Sequence, residues 1–120
     1  MTTQSVTTTI CANQYSEDSR EFDLPFVRRV GKGENERLLY WQVKPNGNFL
    51  DEYLIGKSYA VQALQFMLVT EFDLLLHKIV EDMPKKKKHT GIETGFLDTF
   101  AAFAAFGAKT VAKGGKIFLL

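Results

Sequence analysis

The chain has 120 residues, with 15 Lys and Arg against 14 Asp and Glu, a formal charge of +1, and 45% apolar residues. That length supports one domain with its own core, and the composition excludes a disordered tail or a fibrous repeat. The near-balance of charge excludes a whole-chain field that would recruit nucleic acid or an anionic membrane, so any electrostatic partner must meet a local patch.

Cys11 is the only cysteine. It excludes an internal disulfide and a thiolate metal cluster, and it fits a reducing, cytoplasmic setting. The opening MTTQSVTTTI lacks the basic start and apolar core of a secretory signal. No run approaches the roughly 20 apolar residues needed to cross a bilayer. GFLDTFAAFAAFGA is too short and carries Asp98, so it reads as a buried or interface helix.

In chain order, QSVTTTICANQ is predicted as a first strand, because threonine and β-branched residues suit a pleated surface. Phe22, Leu24 and Phe26 alternate with Asp23 and Pro25 and predict a second strand, with Pro25 placing it at an edge or a bulge. GKGENE forms a hairpin loop, and RLLYWQVK is the third strand, with Leu39, Trp41 and Val43 on one face. PNGN carries turn chemistry, and Asn48 is placed to cap the helix after it.

The period then becomes helical. Tyr53 to Val69 predicts a central, largely buried helix with a narrow polar stripe of Ser58, Gln62 and Gln65. Gly56 marks a break, a kink or a close contact with the sheet. Thr70 and Asp73 resemble a capping arrangement for a second helix, in which Phe72, Leu75, Leu76, Ile79 and Met83 share a face before Pro84 ends it. A third helix is predicted to start around Gly91 to Gly95 and run to about Lys113, where Gly114-Gly115 stops it. The tail KIFLL is a candidate last strand at the sheet edge.

The expected architecture is therefore α+β: about three N-terminal strands in a small antiparallel sheet, packed against about three helices in one domain over 1–120. Residues 1–48 are mainly β, 49–113 mainly α, and 114–120 a tail or edge strand.

Candidate chemistry is sparse. The triplet Gly56-Lys57-Ser58 has the ending of a phosphate loop, but the loop's first glycine would have to stand at Asp51, and Glu52-Tyr53-Leu54-Ile55 is bulky and acidic where backbone N–H groups should curl around phosphate. Asp73, His77 and Glu81 are spaced to line one helical face and could raise the histidine's proton affinity or supply metal ligands; the ordinary reading is a solvated face. Lys85, Lys86, Lys87 and Lys88 with His89 form a basic connector able to engage phosphate near a helix start. No nucleophile elbow or zinc-finger spacing is present.

On the third helix, Phe96, Phe100, Phe103, Gly107 and Val111 form an aromatic stripe expected in the core. Ala101, Ala105, Ala108 and Ala112 form a second stripe that permits close approach of another helix, in this chain or in a second copy. Phe106 falls outside both, on the side of Thr99 and Lys113, and is grouped with the alanines as a candidate interface.

These features predict a small non-catalytic protein without a cofactor, catalytic set or metal, which binds another protein or itself. Chains of this kind are common among accessory and inhibitory proteins of phages and mobile elements. The alternatives are a phosphate- or nucleic-acid-binding module using Lys85–Lys88, and an enzyme or metal site on Asp73, His77 and Glu81.

Overall fold

The structure, a computed structural model, describes residues 13–85 and 88–113. In chain order the elements are strand β1 (Arg28–Val30), strand β2 (Arg37–Leu39), and helices α1 (Phe49–Thr70), α2 (Leu75–Asp82) and α3 (Gly91–Ala112). The class is α+β, as expected, but the sheet has two described strands rather than three. Contacts divide the chain into two compact units, one comprising residues 1–42 and 62–83, the other 43–61 and 84–120, with the division falling inside α1.

In the first unit, the strand expected over Phe22–Phe26 is instead a pair of turns. Glu21–Asp23 forms a 3-10 turn, tied at its start by the Arg20 N–H donating to the Asp23 carboxylate at 2.8 Å. The Leu24 N–H then donates to the Glu21 carbonyl and the Val27 N–H to the Leu24 carbonyl, so these donors go to local turns and not to a ladder. Leu24 and Phe26 are buried while Phe22 is exposed, a consequence of the turns that hydrophobic alternation does not anticipate.

The strand forms later, at Arg28–Val30, and pairs antiparallel with Arg37–Leu39 through Arg28↔Leu39, Arg29↔Leu38 and Val30↔Arg37. The GKGENE loop closes this hairpin as expected, with Gly31 at φ 85° and Gly33 at φ 57°. β2 is shorter than RLLYWQVK because the next N–H, that of Tyr40, donates to the Asp82 carboxylate at 2.7 Å. Tyr40 and Trp41 are consequently both buried, Trp41 against Phe26 at 5.5 Å between ring centroids. The strand expected over QSVTTTICANQ lies outside the described residues except for Asn13 and Gln14, which are not in a strand.

Helix α2 buries Leu75 and Ile79, and Met83 just past its end is buried too, while Phe72 and Leu76 of the face that the spacing predicts are half-buried. Its expected cap is not formed: the Thr70 hydroxyl donates to the Phe66 carbonyl inside α1, and Leu74 precedes α2 without a side-chain cap. Between the helices, Glu71 takes φ 58°, and its N–H donates to the Met67 carbonyl to close the end of α1. The stripe expected to be polar on α1 is also engaged. Tyr15 donates its hydroxyl to Gln62 at 2.9 Å and packs on Phe66, and the Asn13 amide donates to the Gln65 carbonyl.

In the second unit, Gly47 at φ 88° makes the turn before α1, and the Asn48 side chain accepts from the Asp51 N–H at 3.0 Å, the predicted cap. Gly56 makes neither a break nor a sheet contact. A β-carbon there would overlap the Ile92 carbonyl, one on Gly95 would overlap the Tyr53 carbonyl, and one on Gly91 would press on Phe49 and Glu52. Phe49 and Glu52 thus meet Gly91, Tyr53 meets Gly95, and Gly56 meets Ile92 and Phe96, so later residues of α1 meet on the whole later residues of α3, and the two helices run in the same direction through this contact with their backbones nearly touching. Only glycine permits that approach, and it accounts for three glycines in helical positions that otherwise cost stability.

Candidate interaction surface

Helix α3 begins with a capping box, for which Thr90-x-x-Glu93 is the sequence signature, although apolar spacing alone places the start only within Gly91 to Gly95. The Thr90 hydroxyl accepts from the Ile92 N–H, and the Thr90 N–H donates to Glu93 at 2.6 Å. A second carboxylate joins it. Glu52, only 5% exposed, accepts from the N–H groups of Asn46 and Gly47 at 2.8 Å and of Gly91 at 2.9 Å. These donors, first among them Gly47 and then Gly91, hold its pKa below the usual carboxylate value. A carboxylate so held stays ionised and cannot relay protons near neutral pH; it fastens the turn at Asn46-Gly47 to the start of α3.

Beyond that anchored start, the packing of α3 stops. Gly91, Ile92, Glu93, Gly95, Phe96 and Thr99 are buried, whereas every residue from Ala101 to Ala112 except half-buried Gly107 is exposed. The aromatic stripe expected in the core is therefore core only at Phe96. Phe100 is half-buried on the Phe96 ring at 5.0 Å, Phe103 is 51% exposed, and Val111 is exposed too. The stripe outruns its covering: its first turns pack on α1, and its last turns project past the last buried residue, Thr99.

At 100° per residue, a step of seven residues returns to nearly the same face. Phe103 follows Phe96 and Phe106 follows Thr99 by that step, so the exposed pair continues the face that upstream accepts α1. Phe106 is 70% exposed, and with Ala102 and Phe103 it lines an open apolar cleft of about 310 Å³. Ala101, Ala105, Ala108 and Ala112 are all exposed, and by the same rotation they lie on the opposite side of α3. Phe106 is thus separated from the alanines with which its sequence position groups it.

The remaining candidates are not brought together. Asp73 precedes α2 in a turn, so the expected row reduces to His77 and Glu81, an exposed pair at 3.4 Å. Among the described residues, no group of three or more His, Cys, Asp and Glu could hold a metal. Lys85, Lys88 and His89 are exposed; Lys86, Lys87 and Cys11 lie outside the described residues. Gly56-Lys57-Ser58 sits within α1, where its backbone N–H groups belong to the helix.

A smaller cleft of about 140 Å³ is lined by Ser19, Arg20, Glu21, Phe66, Thr70 and Phe72. Its Glu21 is engaged by the Tyr40 hydroxyl at 2.7 Å, and the pKa of Tyr40 is raised by burial and by that carboxylate, which makes it a structural donor. Every buried side-chain nitrogen and oxygen among the described residues has a hydrogen-bond partner, so none of the buried ones is left unsatisfied. No helix among the described residues is long and apolar enough to cross a membrane.

No protein-family model matches the chain, and comparison with curated proteins and with solved structures gives no match.

Proposed function

We propose that this chain is a small non-catalytic interaction protein that binds another protein through the distal half of α3. The observation that carries the reading is the continuation of a helix-accepting face, through Ala102, Phe103 and Phe106, beyond Thr99. The occupant that suits it is an apolar helix. The cleft-lining residues carry no charge with which to recognise a nucleic acid, and the same face receives α1 two turns upstream.

Sedimentation of the wild type and of Phe106→Glu, beside circular dichroism, tests it. Charge placed at a desolvated contact breaks the complex and leaves the folded chain intact. If the partner is a second copy, the wild type sediments as a dimer and Phe106→Glu as a monomer. A wild type that is monomeric, together with a Phe106→Glu variant that retains every partner captured by the wild type, would overturn the reading.

A further inference from the structure

The chain has four arginines, and three of them, Arg28, Arg29 and Arg37, fall within the β1–β2 hairpin, with Lys32 in its loop. The same segment holds two carboxylates, Glu34 and Glu36, so it carries more positive charge than the chain as a whole.

Register sorts these charges onto two faces. Side chains alternate along a strand, so Arg29 lies on one face with Leu38 and on the side of Glu36, while Arg28 and Val30 share the other face with Leu39 and Arg37. Arg29 is compensated: its guanidinium pairs with Glu36 at 2.8 Å and stands 4.5 Å from the centre of the Phe22 ring. Arg28 and Arg37 are exposed and have no carboxylate or ring partner among the described residues, and the same holds for Lys32. The two arginines are diagonal neighbours across the ladder, an arrangement of like charges that costs stability in the free chain.

We propose that this face of the hairpin binds the phosphate backbone of a nucleic acid. Arginine's planar fork engages phosphate oxygens through two hydrogen bonds at once, which distinguishes the hairpin from the all-lysine connector at Lys85–Lys88. A two-stranded ribbon also fits the major groove of duplex DNA. The loop around Lys32 is kept slim by Gly31 and Gly33, and a β-carbon on Gly33 would point into open space. Phosphate contacts of this kind position a protein without reading sequence, so the binding is general in sequence and steep in its salt dependence.

The test uses the full chain with a fluorescent mixed-sequence DNA duplex, a single-stranded RNA and a poly-glutamate peptide, titrated by anisotropy over a salt series. The wild type binds a nucleic-acid probe, and the Arg28→Gln/Arg37→Gln variant loses about two from the slope of log K against log salt, near 0.9 for each duplex phosphate contact released. Arg28→Lys/Arg37→Lys keeps the slope and binds several-fold more weakly; it also serves should the glutamine variant fail to fold. Absence of nucleic-acid binding at low salt, tighter binding of poly-glutamate, or an unchanged slope in the glutamine variant with loss of binding on neutralising Lys85–Lys88 would each overturn the proposal. Phe106→Glu leaves this binding intact, which separates it from the reading of α3.

Discussion

The Tyr53 carbonyl oxygen occupies the space that a β-carbon on residue 95 would need, so Gly95 is fixed by the backbone of another helix and not by its own. Two effects compete in Gly95→Ala. The helix gains about 1 kcal/mol of propensity, but a methyl group against a carbonyl that cannot rotate away costs about 1–3 kcal/mol or more. The clash prevails, and the melting temperature falls. Gly107, with nothing within contact of a β-carbon, gives the opposite sign: Gly107→Ala stabilises by about 0.5–1 kcal/mol. Thermal melts of the two variants check both, and equal shifts would refute the parallel packing.

Glu52 makes the second unit acid-sensitive. Its folded pKa lies below its ordinary value of 4.5, so the native state holds fewer protons than the unfolded state around that pH. The resulting stabilisation is complete above the unfolded pKa and disappears as pH falls through the folded one. Melting temperatures measured from neutrality to about pH 3 decline in the wild type, and Glu52→Gln starts lower and declines less. Parallel curves for the two proteins would contradict the three N–H contacts.

Phe96 and Phe103, two turns apart on one face, differ sharply in their contribution to stability. Phe96 is fully buried, and Phe96→Ala costs about 3–5 kcal/mol, enough to unfold a marginal domain. Phe103→Ala at an exposed site changes stability by less than about 0.5 kcal/mol. Denaturant titration of the isolated chain distinguishes them, and a large loss at Phe103 would place it in the core after all.

Glu71 is the one non-glycine described residue with positive φ, and it terminates α1. Left-handed backbone costs an L-residue about 1–2 kcal/mol, which exceeds the entropy that glycine adds to the unfolded chain. Glu71→Gly therefore raises stability by roughly 0.5–1 kcal/mol. A lower midpoint in urea would show that the Glu71 side chain contributes more than its backbone strain.

The helices were legible because their signals are local. The Asn48 cap, the apolar spacing in α2 and the limits of α3 all depend on neighbours within a few residues. The strands were less so. Whether Phe22–Phe26 extends or turns depends on where its N–H groups find acceptors, and Glu21 and Leu24 supply them locally. β2 ends early because Asp82, far along the chain, takes the Tyr40 N–H. On α3, spacing showed which residues share a face but not how far along the helix the covering extends, so Phe103 read as core. The hairpin arginines gave no signal in the sequence because composition averages charge, and only the ladder register assigns Arg28 and Arg37 to one side.

The parallel pairing of α1 with α3 also dictates an order of events during synthesis. Residues 1–42 and 62–83 are complete once Met83 has been made, and the links from Tyr15 to Gln62 and from Tyr40 to Asp82 can then close. The first half of α1 has by that time existed for roughly thirty residues of elongation without its counterpart, because Gly91 and Gly95 are still to come. Its glycine seam has to wait for residues 91–96, so the contacts of the second unit become possible only after every residue of the first has been made.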